Sequence, residues 1–213
     1  MKELLEVADR LAPGHTAVLV VDMQNDFCAN GGYVDKVIKR DLAACQAVAG
    51  PVNELVAAAR AAGVPVVWLR ADYRRERIPE SMRAKLDKQG VTEVCCVPGT
   101  WGADWFGVAP AEGEPVVTKS SYSGFHATGM EQVLRGVGAR TVVFCGVQTH
   151  VCVESTLRDA HSLGFYCVVP QECVASHTPP AHEATLANVR FLFGDVVTLG
   201  QVTSRWSQPD SRK

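Results

Sequence analysis

Residues 146–156 are Gly146-Val147-Gln148-Thr149-His150-Val151-Cys152-Val153-Glu154-Ser155-Thr156, and this stretch decides how the chain folds. It follows residues 141–145, an apolar run typical of a buried strand, and it opens a segment with helical spacing of apolar residues. Gly146 predicts a turn between the two elements, and Thr149 is a plausible helix N-cap. A strand, a sharp turn and a helix in this order would present Cys152 at the carboxyl end of a sheet.

Cys152 is therefore a candidate nucleophile. In a first helical turn, its thiol would face unpaired backbone N–H groups and the positive end of the helix dipole, and both favour the reactive thiolate. The alternative is that Cys152 is a small buried residue, as most free cysteines are. This stretch alone leaves both interpretations open, because a low thiol pKa requires an electropositive setting.

Similar apolar runs recur along the chain and alternate with segments of helical spacing. Strands are predicted at 16–21, 64–69, 115–118, 141–145, 165–170 and 195–199. This alternation predicts a single α/β domain over residues 1–213, with its core at about 14–200. We expect a doubly wound, Rossmann-like, mostly parallel six-stranded sheet with helices on both faces.

The connecting segments are predicted to be mostly helical. Helices are expected over 2–11, over 41–63 with a break or kink at Pro51, from a Thr128–Glu131 capping box, from Cys152 to Gly164, and over 179–194. Residues 71–115 have no regular pattern, which is typical of a lid or binding loop, and 207–211 are predicted to be a frayed tail.

Composition excludes several functional classes. Twenty-one basic against 23 acidic residues give a net charge of −2, which argues against nucleic acid or an anionic membrane as a partner. No apolar run reaches the roughly 18 residues that span a bilayer, and the acidic N-terminus is unlike a signal peptide, so a cytoplasmic location is expected. The eight cysteines show no Cys-x-x-Cys pair and are expected to be reduced, without disulfides or structural zinc.

Reactive side chains follow three of the predicted strands. Asp22, Lys119 and Cys152 each come after an apolar run. Because ligands bind beyond the carboxyl ends of the strands in such sheets, we expect the three groups to meet there. Asp22 could take the thiol proton and pass it to a leaving amine, while Lys119 would keep Asp22 ionised and favour the thiolate. Backbone N–H groups before Cys152 could hold an oxyanion.

The sequence resembles the cysteine-hydrolase branch of the isochorismatase-like superfamily over about residues 14–200. The motifs that carry the resemblance are Val20-Val21-Asp22-Met23-Gln24-Asn25-Asp26-Phe27, Lys119-Ser120-Ser121-Tyr122-Ser123-Gly124-Phe125, and 146–160. The resemblance implies a catalytic triad of Asp22, Lys119 and Cys152. It also implies a cis peptide between Val147 and Gln148, with the backbone N–H groups of Gln148 and Cys152 as the oxyanion hole.

The resemblance further implies a substrate class. The motifs are most similar to those of ureidoacrylate, biuret and triuret amidohydrolases, which cleave a C–N bond of a small amide or ureido compound. Maleamate, N-carbamoyl amino acid or nicotinamide hydrolysis is the alternative. The stretch after the second strand has no His, so neither a catalytic metal nor a cofactor is expected. A homodimer or homotetramer is expected, and the candidate substrate-binding residues are Gln24, Phe27, Trp101, Tyr122, Phe125 and His150.

Other interpretations of the same residues remain. Asp22 could accept a phosphoryl group, but that chemistry usually places a second carboxylate two residues later, where this chain has Gln24. Cys152 could be a redox sensor in a protein that is not an enzyme, with Cys145 as the resolving thiol. The arginines at 74, 75 and 77 could form a solvated face, attract an anionic substrate or contact another subunit.

Overall fold

The computed structural model describes residues 3–208 and shows a single α/β domain built on a parallel sheet. Its strands are β1 (Thr16–Val21), β2 (Val66–Ala71), β3 (Val116–Lys119), β4 (Thr141–Val147), β5 (Tyr166–Pro170), β6 (Val174–Ala175) and β7 (Asp195–Val197). The order across the sheet is β3-β2-β1-β4-β5-β7, and the short β6 pairs with the end of β4. All ladders between these strands are parallel, so the predicted fold class is confirmed.

Helices connect the strands. In the described part of the chain, the α-helices are α1 (Val7–Arg10), α2 (Asn25–Cys28), α3 (Ala43–Ala47), α4 (Ala49–Ala61), α5 (Glu80–Lys88), α6 (Met130–Gly136), α7 (Glu154–Ser162), α8 (Pro179–Asn188) and α9 (Leu199–Ser207). Short π-helical turns occupy Val34–Ile38, Thr149–Val153 and Val189–Phe193. No helix within residues 3–208 is both long and apolar enough to cross a membrane.

The core lies on both faces of the sheet, as expected for parallel strands. Every residue of β1 is buried, and alternate side chains point to opposite sides. Val18 and Val20 pack with the cluster under α4 and α9, while Leu19 and Val21 pack with the cluster under α6 and α7. Burial on two sides explains why the sequence of β1 is a continuous apolar run without polar alternation.

Three α-helices were not predicted from the sequence. α2 follows β1 as a single turn of four residues. α5 lies inside residues 71–115, which were expected to be irregular, and none of its residues is buried, so its short apolar face does not identify it as a core helix. α9 follows β7, which ends at Val197 and not at residue 199. The reason is a capping box, in which Thr198 accepts from the Gln201 backbone N–H (3.2 Å) and the Gln201 side chain accepts from the Thr198 N–H (2.7 Å).

Other boundaries also differ from the predictions. The capping box expected at Thr128 and Glu131 does not form, since α6 begins after Gly129 without a side-chain cap. The helix expected over 41–63 is divided at Val48, and Pro51 lies in the first turn of α4, where a missing N–H costs little. The N-terminal helix is only α1, and residues 209–211 of the expected tail lie outside the described residues.

Gly146 should be the least replaceable glycine of the sheet. Its φ is 108°, and a Cβ there would lie 2.1 Å from the carbonyl oxygen of Val21 on the neighbouring strand. Gly138 is the matched control, because its φ is also positive (78°) but a Cβ would meet nothing within 4 Å. Gly138→Ala should cost about 1–2 kcal/mol for backbone strain, and Gly146→Ala more than about 3 kcal/mol.

Thermal or denaturant unfolding of the two variants measures this difference in the free energy of unfolding. Equal losses of stability in Gly146→Ala and Gly138→Ala would show that the contact with Val21 does not constrain β4.

Candidate active site

Three strands bring reactive side chains to one edge of the sheet. Asp22 directly follows β1, Lys119 ends β3 and Cys152 lies in the turn after β4. The chain runs through β1, β2 and β3 in one direction and then returns to the other side of β1 with β4. The switch point of the sheet therefore lies between Asp22 and Cys152, which is where ligands bind in folds of this kind.

The three predicted groups converge. Lys119 Nζ lies 2.8 Å from Asp22 Oδ2 and 3.3 Å from Cys152 Sγ. The side chains of the ion pair are 0% and 1% exposed. Apart from Lys119, no group among the described residues donates a hydrogen bond of regular geometry to the Asp22 oxygens. These oxygens can therefore accept a proton. The spatial prediction from the sequence is thus confirmed, while the catalytic roles remain to be tested.

Tyr73 is a fourth member of this cluster and was missed in the sequence. Lys119 Nζ donates to Tyr73 Oη at 2.5 Å and to the Ser121 carbonyl at 3.1 Å. The Tyr73 hydroxyl donates to the same carbonyl at 3.1 Å and lies 3.5 Å from Cys152 Sγ. The residue that directly follows β2 is Asp72, and Tyr73 comes one position later, so a search for the first polar residue after each strand misses it.

The turn before Cys152 has the expected cis peptide between Val147 and Gln148. Thr149 is not an N-cap, because a π-helical turn starts at that residue and Gln148 precedes it. The Thr149 hydroxyl instead lies 2.9 Å from Nδ1 of His182 on α8. The helix therefore starts with a wider turn than expected, and Cys152 lies inside that turn.

The side chain of Gln148 is also part of the site. Its Oε1 accepts from the His177 backbone N–H at 3.0 Å and from the Cys45 thiol at 3.5 Å. Its Nε2 is buried and has no acceptor among the described residues. Because the two contacts fix which end is the oxygen, an unused amide donor remains at the edge of the site.

Burial dominates the electrostatics of the cluster. It raises the pKa of the Cys152 thiol to about 12, although the Lys119 charge lowers it and the Asp22 charge raises it further. Burial also raises the pKa of Asp22 against the Lys119 charge. Burial is the largest single influence on Lys119 and lowers its pKa, but the charges and hydrogen bonds of Asp22 and Cys152 together outweigh it, so the pKa of this ammonium is raised. The pKa of this thiol is therefore raised, and not lowered as expected from the helix start and Lys119, because desolvation exceeds the effect of the neighbouring cation.

Cys152 opens into a cavity of about 240 Å³. Phe27 and Tyr122, two of the expected substrate-binding residues, line it and flank Tyr73 with edge-on ring contacts at 6.2 and 6.4 Å. The other lining residues include Asp22, Tyr33, Val34, Ile38, Ile78, Met82, Leu86, Gln89, Glu93, Cys95, Val147, Gln148, Val151 and His177.

Four expected substrate-binding residues do not line this cavity. Gln24 is fully buried and bonds the backbone of Ala71 and Ala103. Phe125 packs against Phe165, Trp101 is 53% exposed, and His150 Nδ1 pairs with the Ser176 hydroxyl at 2.8 Å. Proximity in the motif therefore does not place these four side chains in the lining of this cavity.

The arginine cluster lies outside the cavity lining as well. Arg74 binds both oxygens of Asp72 (2.9 and 2.7 Å), and Arg75 pairs with Asp87 on α5. No group of three His, Cys, Asp or Glu side chains within residues 3–208 is placed to hold a metal ion.

The sheet separates Cys145 from Cys152, the two thiols that a redox sensor would pair. All eight cysteines lie in the described part of the chain and are free and buried. Cys145 belongs to the core cluster on one face of the sheet and Cys152 to the cluster on the other. This geometry is unfavourable for a disulfide between them.

Comparisons of the sequence and of the fold with known proteins indicate the same family. The isochorismatase domain profile matches residues 16–201. Ureidoacrylate amidohydrolase RutB of Enterobacter sp. (strain 638) is 34% identical, over 93% of this chain and 92% of its own length. A cysteine hydrolase structure from Pseudomonas syringae pv. phaseolicola 1448A superposes with a TM-score of 0.81 at 27% identity, covering 96% of this chain and 97% of that one. N-carbamoylsarcosine amidase from Thermoplasma acidophilum superposes with a TM-score of 0.69 at 25% identity, covering 87% and 96%.

The raised thiol pKa can be measured by alkylation of Cys152 with iodoacetamide, followed by site-resolved mass spectrometry. The rate should keep rising well above pH 9, because the thiolate fraction grows until the pH passes a pKa of about 12. Asp22→Asn removes a charge that raises this pKa, so alkylation at a given pH should be faster in that variant. An ordinary cysteine has a pKa of about 8.5. An alkylation rate that levels off near that pH would contradict the effect of burial.

Proposed function

The chain belongs to the isochorismatase family and is a hydrolase of carbon–nitrogen bonds other than peptide bonds, and we propose that it acts as a metal-independent cysteine amidohydrolase. Its substrate is a small ureido or carbamoyl amide, and Cys152 forms a covalent acyl intermediate. The observation that carries this proposal is the buried Asp22–Lys119 ion pair in contact with a thiol that opens into a cavity of about 240 Å³.

The first step is attack on the substrate carbonyl. Cys152 Sγ forms a bond to the carbonyl carbon while its proton moves to the Asp22 carboxylate. A raised pKa makes Asp22 a stronger base than an ordinary aspartate, which suits it to take a proton from a thiol that is protonated at rest. The carbonyl oxygen becomes an oxyanion and accepts from the backbone N–H groups of Gln148 and Cys152.

The second step breaks the C–N bond. The leaving nitrogen takes the proton from Asp22 and departs as an amine or ammonia, and a thioester remains on Cys152. Water then attacks the thioester carbon and gives its proton to Asp22, and the sulfur takes that proton back as the S–C bond breaks. Each cycle thus consumes one water, and Asp22 acts as base and acid in turn.

Lys119 and Tyr73 support the proton transfers. The Lys119 ammonium, 2.8 Å from Asp22 and 3.3 Å from the sulfur, stabilises negative charge on whichever of the two groups is deprotonated. The Tyr73 hydroxyl bridges Lys119 and the Ser121 carbonyl and so fixes the ammonium in this position. Arg74 engages Asp72, so the carboxylate after β2 is neutralised by a side chain, which supports chemistry without a metal.

Variants of the two reacting side chains test the mechanism. Cys152→Ala should abolish hydrolysis, and Asp22→Asn should lower kcat/KM by about 100- to 10,000-fold, the usual range for a general acid–base. Asp22→Asn should lose this activity even though its Cys152 thiol is alkylated at least as fast as in the native protein. Cys173→Ala, the same substitution outside the cavity, is the control and should retain activity.

The assay measures ammonia release from biuret, triuret, ureidoacrylate, N-carbamoyl amino acids and nicotinamide, with and without a chelator. Rates that are unchanged by the chelator are expected. Full activity of Cys152→Ala on every accepted substrate would contradict the proposed mechanism. Activity that is lost when the chelator is added would contradict the proposed independence from a metal.

A further inference from the structure

The cavity wall offers no cation to a substrate. Its lining includes no Arg or Lys, but it does include the carboxylates of Asp22 and, at the exposed rim, Glu93. His177 is the basic residue of the lining, and burial lowers its pKa, so it is neutral at pH 7. Arg40 is close enough to His177 to lower this pKa further, but it is exposed and lies outside the lining.

Lys119 cannot serve as the missing cation. Its ammonium already faces four acceptors, namely Asp22, Tyr73, the Ser121 carbonyl and Cys152. It is fully buried behind the sulfur, and its charge is balanced by Asp22. A negative group on the substrate would therefore meet a wall with no compensating positive charge.

One side of the cavity is apolar. Met82 and Leu86 are four residues apart on α5 and so lie on one face of it, and Ile78, two residues before the helix begins, also lines the cavity. Val34 and Ile38 line the cavity from the π-helical turn Val34–Ile38. Since α5 buries no residue in the core, its apolar face is available to contact what enters the cavity.

The polar contact that remains unused is neutral. Gln148 lines the cavity, is 7% exposed, and its Nε2 has no acceptor among the described residues. A buried amide donor without a partner is unfavourable, so the site favours a ligand oxygen at this point. A carbonyl oxygen satisfies such a donor without bringing a charge into the cavity.

From these features we infer that the substrate is an uncharged amide with two carbonyl groups and an apolar substituent, as in an N-acylurea, and that carboxylate-bearing amides are rejected. The reacting carbonyl meets Cys152, the second carbonyl accepts from Gln148 Nε2, and the apolar substituent lies against Met82 and Leu86. This inference rests on the proposed function and narrows its substrate class.

A matched pair of probes tests the charge selection. N-carbamoylsuccinamate and N-carbamoyl-4-methylpentanamide share the acylurea group and differ only at the far end, which is a carboxylate in the first and an isopropyl group in the second. Ureidoacrylate is the third probe. Loss of each compound is followed by chromatography, so the result does not depend on which C–N bond is cleaved.

The neutral acylurea should have a kcat/KM at least about tenfold higher than the carboxylate and ureidoacrylate, because an unpaired charge is costly to bury. A preference for either carboxylate would overturn the charge selection and leave the proposed function standing. Loss of none of the three probes would overturn the charge selection alone if biuret or another amide of the panel is hydrolysed, and would overturn both if no amide is, so the two failures are distinguishable.

A cation placed in the wall should weaken the selection against the carboxylate. Met82→Lys puts an ammonium into the lining, and kcat/KM for N-carbamoylsuccinamate relative to the neutral acylurea should rise about tenfold, as expected for a nearby opposite charge. Ser81→Lys is the matched control, since residue 81 is exposed on the same helix and lies outside the lining. A ratio that is unchanged in Met82→Lys, or changed equally in Ser81→Lys, would contradict the assignment of this wall to the substrate.

Discussion

The buried ion pair between Lys119 and Asp22 is the interaction on which the site depends. Two unit charges are held without solvent exposure at the ends of β3 and β1, which are separated in the sheet by β2. Such a pair is costly unless its geometry is good and its remaining protons are bonded, because desolvation competes with the attraction. The Ser121 carbonyl and the Tyr73 hydroxyl accept those bonds. The register of β1, β2 and β3 brings these groups together, so the polar network depends on that register.

Part of this arrangement follows from sequence alone. A parallel strand that is buried on both faces is a continuous apolar run, so the ends of β1 and β4 stand out, and the first polar or reactive side chain beyond them is placed at the binding edge. This is why Asp22, Lys119 and Cys152 could be placed together from residues far apart in the chain. The same reasoning applied to β2 reaches Asp72, which pairs with Arg74, and so misses Tyr73 one residue later.

Other features depend on tertiary context that no local pattern contains. α5 faces the cavity and not the core, so its apolar residues at intervals of four form too short a stripe to identify a helix. The pKa of Cys152 could not be inferred from its motif, because the degree of burial is set by loops from elsewhere in the chain, such as the one that carries Cys95. Side-chain direction is equally hidden, which is why His150 and Phe125, both close to the reactive residues in sequence, lie outside the cavity lining.

Charge selection and activation of the nucleophile both follow from the burial of Cys152 and Asp22. In this site, burial already raises the pKa of both Cys152 and Asp22, and Lys119 only partly offsets the effect for each. A carboxylate brought into the same cavity would raise both pKa values further and make loss of the thiol proton harder. An uncharged amide instead displaces water without adding negative charge, so the Lys119 ammonium remains available to stabilise the charge that develops on sulfur. A wall without cations is therefore suited to a thiol that is protonated at rest and loses its proton only as the substrate is attacked.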